Sequence, residues 1–382
     1  MSGEAAGTIW KNIGKHCNAT MVYIFILGLA QVYTPFAQAQ ALAAMPAFAD
    51  PLDTSAVMVP VPERQPLIAI AQSGSNEIAA GPRGVIILSK DGGAHWAQAN
   101  VPVESDLVAV QFYDSANLWA CGHDGVILHS SDGGRNWVKL LDGNTAKTMF
   151  ESYYQSKISN ANLANHAQSA ASISKDLQEI QLNFDPGPIL PWMGIWFLNS
   201  MTGFAVGPFG NLAYSADGGK TWVPWLDHID NPNFYDLNAI GTAGNRLYIV
   251  GEQGSVYLYD PNGKQFVARP TPYSGSLFGL TGDAKTLLVY GLRGSIFRST
   301  DQGKTWTKSV NENSSTIMSG TELPDGRFVL VTVDGVVLVS SDSGVSFQTD
   351  SSFQNEKLSG VADGGKDLVM TSLNGIQHAR IP

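Results

Sequence analysis

Five aspartates recur in one setting: Asp91, Asp132, Asp217, Asp301 and Asp342 each have a serine two residues before and an aromatic five residues after. A carboxylate beside a hydroxyl is a pairing that general acid–base chemistry and hard-cation binding both use. The same residues also have a structural explanation. In Ser89–Trp96, Ser130–Trp137, Ser215–Trp222, Ser299–Trp306 and Ser340–Phe347 the Asp can bond backbone N–H groups of its own tight hairpin, and a glycine takes a φ > 0 position. Trp96, Trp137, Trp222, Trp306 and Phe347 then turn inward and seal one repeat onto the next. A degenerate sixth copy, Tyr259–Phe266, keeps Asp260, Gly263 and the aromatic. The turn explains the pattern by itself, so no catalytic role is assigned to these aspartates.

Other reactive side chains form no recognisable centre. His95, His123, His129, His166, His228 and His378 lack metal-ligand spacing and cysteine support, so neither a metal nor a cofactor is expected. No G-x-S-x-G, P-loop or dinucleotide fingerprint stands in a plausible context. Arg83 and Arg293 could hold an anion, as arginines do in sialidases, but the Arg-Ile-Pro triplet expected in a first sialidase blade occurs only at Arg380-Ile381-Pro382. No catalytic residue is named, and a sialidase-like glycan-active enzyme is kept only as an alternative. A net charge of −10 leaves no basic face for phosphate, so no nucleic-acid partner is expected.

The first residues read as an export signal. Lys11 and Lys15 precede an apolar run from Met21 to Ala30, and Ala37-Gln38-Ala39 offers an A-x-A cleavage site. Residues 1–39 are therefore expected to be a signal peptide, with a second site at Ala47-Phe48-Ala49 extending it to 49; an uncleaved anchor is the lesser reading. Cleavage removes Lys11, Lys15, Glu4 and Cys17, which moves the charge to −11 and leaves Cys121 as the one cysteine, a buried inert thiol. The expected compartment is the periplasm.

The elements that position these residues follow from a second repeat. Gly84, Gly125, Gly210, Gly254, Gly294, Gly335 and Gly375 each close a short turn, at separations of 41, 85, 44, 40, 41 and 40 residues. Apart from one doubled interval, that is the period of a four-stranded propeller blade. Seven units fit between Leu67 and the C-terminus, predicting an all-β, seven-bladed β-propeller over residues 50–382. The last unit stops before a fourth strand, and Ala56–Val61 is the expected donor that closes the ring. The doubled interval contains an insertion at 143–187, between blades 2 and 3. It has no Gly or Pro from Asn144 to Phe184, and its stripes Ile173, Leu177, Ile180 and Met149, Tyr153, Tyr154, Ile158 predict two helices separated near Asn160–Asn165.

By strand order, the insertion emerges on the same face as the glycine turns, with the Asp-containing hairpins on the other. The candidate partner-binding face therefore comprises Arg83, His123, Asp124, Phe209, Gln253, Arg293 and Asp334 at the turns, with Tyr153 and Tyr154 from the insertion.

The Ser-x-Asp-x-Gly-x-x-Trp hairpin resembles the Asp-box, or BNR, repeat. The whole pattern of export signal, seven repeats and Gly-x-x-Gly turns such as Gly122–Gly125 resembles the Ycf48/Hcf136-like family from about Leu67 to Ala379. That resemblance, to the non-photosynthetic bacterial branch, implies a propeller that binds a membrane protein: photosynthetic members are photosystem II assembly factors, and some relatives in non-photosynthetic bacteria are associated with RND-type exporters. The sequence departs from photosynthetic members in lacking a lipobox and a twin-arginine signal and in carrying the insertion. The function expected is an exported, non-catalytic accessory or assembly factor for an inner-membrane complex, an RND-type transporter among the candidates. Alternatives are a photosystem II assembly factor and a periplasmic carrier that hands an apolar small molecule to a transporter.

Overall fold

The computed structural model describes residues 49–163, 167–187, 189–350, 353 and 357–380. Its short strands pair into seven antiparallel sheets, six of four strands and one of three. Blade 1 comprises Ala69–Ser73, Asn76–Ala80, Ile86–Ser89 and Ala97–Gln98; blade 2 comprises Leu107–Phe112, Leu118–Gly122, Ile127–Ser130 and Val138–Leu141. Blades 3 to 6 begin at Gly194–Phe197, Leu237–Ala243, Leu277–Gly282 and Ile317–Glu322, and blade 7 is Leu358–Asp363, Asp367–Ser372 and Gly375–Arg380. The first strand of every sheet touches that of the next, and blade 7 touches blade 1, so the seven-bladed ring is closed.

Second strands such as Leu118–Gly122, Leu287–Gly291 and Phe328–Thr332 are buried throughout. Each is packed between neighbouring blades on both sides, which is why they read as continuous apolar runs and not as alternating ones. Leu288 and Tyr290 of blade 5, for example, interlock with Phe328 and Leu330 of blade 6. Each fully buried side chain of this size contributes about 1.5–3 kcal/mol. Blades 2 and 3 are also tied by the buried Gln111, whose amide donates to the Phe197 carbonyl at 3.1 Å and accepts the Phe197 N–H at 2.7 Å.

Ring closure departs from expectation. Residues 56–61 add no fourth strand to blade 7; they lie along the outer edge of blade 1. Ala56 N–H donates to the Val101 carbonyl, the Gln98 side chain accepts from Val59 N–H at 2.9 Å, and the same side chain donates to the Val57 carbonyl at 2.9 Å. Pro60 and Pro62 have no N–H to give a ladder, whereas the two-residue strand Ala97–Gln98 leaves an edge to cover. The ends of the ring meet directly: Leu67 N–H donates to the Ser372 carbonyl at 3.0 Å, Ser359 Oγ donates to the Leu67 carbonyl, and Asp363 N–H donates to Gln72 Oε1.

The insertion forms two helices, α1 (Gly143–Leu163) and α2 (Ala167–Phe184). Asp142 caps α1, its carboxylate accepting the Thr145 N–H at 2.9 Å while Lys139 holds it at 3.0 Å. Among the described residues no helix is long and apolar enough to cross a membrane. The expected signal segment at 1–39 with Cys17, and the Ile381-Pro382 end of the Arg-Ile-Pro triplet, lie outside the described residues. Cys121 is fully buried, its thiol 3.4 Å from the Trp192 carbonyl and pushed well above its ordinary range by burial.

Candidate functional site

At the Asp-boxes the polar groups bond within their own turns. In the first box Ser89 Oγ donates to Asp91 Oδ1 and accepts from Gly93 N–H, while Asp91 accepts the His95 N–H and its ring nitrogen. Asp132 does the same with Asn136, Asp217 with Thr221, Asp301 with Thr305 and Asp342 with Ser346. Donors converging on a carboxylate favour its charged form. Asp91, Asp132 and Asp301 are accordingly held down at about 2, chiefly by hydrogen bonds to the residue four positions on. Every lone pair committed to the turn is lost to catalysis. The indoles of Trp96 and Trp137 donate to the carbonyls of Gly93 and Gly134, and Trp222 packs between blades 2 and 3, Trp306 between blades 4 and 5.

The opposite face is built from the glycine turns. At Gly84, φ is +71° and an added Cβ would stand 2.0 Å from the Val103 carbonyl oxygen, because the connection to the next blade crosses directly over the turn. The residue just before each glycine is also left-handed in five blades: Arg83, Asp124, Phe209, Gln253 and Arg293 have φ between 55° and 57°. A non-glycine there costs on the order of 1 kcal/mol. Inter-blade aspartates offset this: Asp106 accepts the Arg83 N–H at 2.8 Å and Asp236 the Phe209 N–H at 2.7 Å. Sequence spacing had marked the turn residues but not these supports.

The turn side chains differ in availability. His123, Phe209, Gln253, Arg293 and Asp334 are exposed, Phe209 by 48%. Arg83 pairs with Glu104 at 3.0 Å, Asp124 accepts from Ser105 Oγ and Asp334 from Ser315 Oγ, both at 2.7 Å. The two insertion tyrosines do not join them as an exposed pair. Tyr154 is fully buried and Tyr153 half-buried, because the stripe carrying them faces the propeller. Phe150, Tyr154, Ile180, Phe184 and Trp192 form one cluster with Trp119, Leu141 and Leu226, and Ile173, Leu177 and Met149 pack against it.

Polar contacts fix this packing. Tyr154 Oη accepts from the Leu226 N–H at 3.0 Å and donates to Asp227 Oδ1 at 3.3 Å; Lys157 pairs with Asp227, and Lys175 donates to the Pro232 carbonyl at 2.9 Å. Asp176, buried beside them with Oδ2 unpartnered among the described residues, is pushed up to about 6 by burial and then by Asp227. The chain returns at Trp192, whose backbone N–H and indole donate to the Gly122 and Gly125 carbonyls at 3.0 and 3.1 Å. The insertion therefore roofs the boundary of blades 2 and 3 on the glycine-turn face. Asp227 and Trp192, which the sequence pattern did not single out, are its anchors.

Among the described residues no group of three or more His, Cys, Asp or Glu side chains could hold a metal ion. The family model described as photosynthesis system II assembly factor YCF48 matches residues 55–145 and 169–352, leaving out most of α1. Photosystem II assembly protein Ycf48 of Thermosynechococcus vestitus is 30% identical over 146 residues, 36% of this chain; the match spans 41% of that protein's length. Similar solved structures include a YCF48 bound to D1 peptide (14% identity, TM-score 0.59, covering 89% of this chain and 100% of that one) and YCF48 from Cyanidioschyzon merolae (14%, 0.60, 86% and 99%). The WD40 propeller domain of Doa1 is similar at 12% identity, TM-score 0.54, with 86% and 95% covered. With a propeller of Asp-box blades and the family model matched over most of the chain, the chain belongs to the family described as photosynthesis system II assembly factor YCF48.

Proposed function

We propose that the protein is an exported, non-catalytic accessory or assembly factor of the periplasm that holds a segment of an integral membrane protein on its glycine-turn face, beside the insertion. The observation that carries this reading is the commitment of polar groups. The Asp-box carboxylates are spent on their own turns, whereas His123, Phe209, Gln253 and Arg293 stand exposed on one face, each at a turn fixed from below. Side chains presented from rigid loops on a rigid ring suit recognition better than bond-breaking. Family membership supports an assembly role, and a structural relative is bound to D1 peptide. An RND-type transporter complex is the partner class we favour.

The test is affinity purification of the full chain from membranes, compared with a variant carrying Arg83→Glu, Phe209→Ser and Arg293→Glu. These side chains are exposed, so the variant keeps the fold, as circular dichroism will verify. Deleting the insertion would instead uncover Leu141 and Leu226 and confound the readout. A defined integral membrane protein recovered with the native chain and lost with the variant supports the proposal. Equal recovery by both, or none by either, rejects it; an exporter or a photosystem subunit in the eluate decides the partner class.

A further inference from the structure

Glu77 breaks the pattern of the ring. Four residues before the start of the glycine turn, on the second strand, blades 2 to 7 carry Leu118, Gly203, Leu247, Leu287, Phe328 and Leu368; blade 1 carries a glutamate. The position is an interior one, and Glu77 is 0% exposed. Neither carboxylate oxygen has a hydrogen-bond partner among the described residues. A buried carboxylate without donors is strongly disfavoured as an anion.

Its surroundings place it at the closure of the ring. A Cβ on Gly93 would stand 2.8 Å from Glu77 Oε2, 2.9 Å from a Val369 methyl and 3.1 Å from the His378 ring, and one on Gly364 would stand 3.3 Å from Oε1. The carboxyl thus lies beneath the first Asp-box and against blade 7. This is the seam that no shared strand crosses, held by the backbone and side-chain bonds of Leu67, Gln72 and Ser359. The titratable and charged groups on the elements around it are Lys90, Asp91 and His95 from the Asp-box, Asp363, Lys366 and Asp367 from the first hairpin of blade 7, and His378 and Arg380 from its third strand. Asp91 and Asp363 act on the Glu77 carboxyl as like charges.

We propose that Glu77 makes the seam between the first and seventh blades a proton-operated latch, closed while the carboxyl is protonated and loosened when it ionises. Burial, then Asp91 and Asp363, push the carboxyl from 4.5 up to about 7. The fold therefore binds this proton about 300-fold more tightly than the unfolded chain does. A raised carboxyl favours the native state fully below the unfolded value near 4.5, and that contribution disappears as pH rises through 7. Near neutrality the latch is half set, so modest acidification tightens the ring and modest alkalinisation eases it.

Hydrogen exchange of the full chain between pH 5.5 and 8.5, corrected for the intrinsic pH dependence of exchange, tests this alongside thermal unfolding. Peptides covering 67–80 and 358–380 should open about 10- to 100-fold more readily at pH 8.5 than at 5.5, and Tm should fall by a few degrees. Glu77→Gln, and Glu77→Leu as the residue type of other blades, should abolish the change at the seam, lessen the fall in Tm and protect the seam at high pH. Asp363→Asn should move the native transition to lower pH. The latch is overturned if native and Glu77→Gln proteins share one pH profile, or if opening with pH is equal at the other blade boundaries.

Discussion

Replacing Tyr154 by Phe removes one oxygen and leaves the ring in place. The ring stays packed against Tyr153, with centroids 5.5 Å apart, and remains inside the cluster of blades 2 and 3. The lost hydroxyl accepts the Leu226 N–H at 3.0 Å and donates to Asp227 at 3.3 Å. Asp227 retains Lys157, so the donated bond is partly replaced. Leu226 is 5% exposed, and its N–H is left without a partner. Stranding a buried donor costs about 1–3 kcal/mol, so the change should weaken docking of the insertion by about 2 kcal/mol, roughly thirtyfold in the docking equilibrium. Hydrogen exchange at pH 7 reads this directly. Peptides within 143–184 should exchange about thirtyfold faster through local opening, while those of blades 5 and 6 keep native rates. Tyr154→Ala, which also removes the ring, should cost about 3–5 kcal/mol. A change below threefold in the Phe variant, or acceleration spread evenly over the ring, would refute the claim that this hydroxyl anchors the insertion.

Three further outcomes follow from the same geometry. Gly84→Ala meets the Val103 carbonyl at 2.0 Å and should lose at least about 2 kcal/mol in urea unfolding, whereas Gly326→Ala, at φ +85° with nothing within 4 Å, should lose only about 1 kcal/mol. Asp176→Asn should raise Tm at pH 7.5 and flatten its pH dependence: a carboxyl raised to about 6 stabilises the fold below its unfolded value of 3.8 and ceases to as pH passes 6, a contribution on the order of 1–3 kcal/mol. Cys121 should resist iodoacetamide in the native protein up to pH 9 and react at once in denaturant, as mass spectrometry will show, because burial removes both access and thiolate.

Blade number, the faces of the turns and the extent of the insertion were legible in the sequence because each is a matter of spacing along one strand or hairpin. Ser-x-Asp-x-Gly-x-x-Trp and its glycine partner are local devices whose residues bond one another. What was not legible is non-local. Tyr153 and Tyr154 share an apolar stripe, and spacing says that a stripe is buried without saying against what; the answer is Leu226 and Trp192, 72 and 38 residues away from Tyr154. The segment at 56–61 has the composition of a strand, and counting strands sent it to blade 7. Its prolines and the side chain of Gln98 hold it on blade 1. Glu77 was not legible because a glutamate beside Asn76 at the start of a strand, just after the Gly74 turn, looks like a solvent-facing residue until the next blade covers it.

The root of the insertion has a further consequence. The chain leaves the ring where Gly143 abuts Gly125, an added Cβ on Gly125 lying 2.7 Å from the Gly143 nitrogen, and it comes back where Trp192 bonds Gly122 and Gly125. Both passages use the same four-residue turn. The helical pair is thus plugged into the ring at one point, and this turn works as its socket. A fluorescent domain added between α1 and α2, at the end of the pair away from that socket, should leave the seven blades intact.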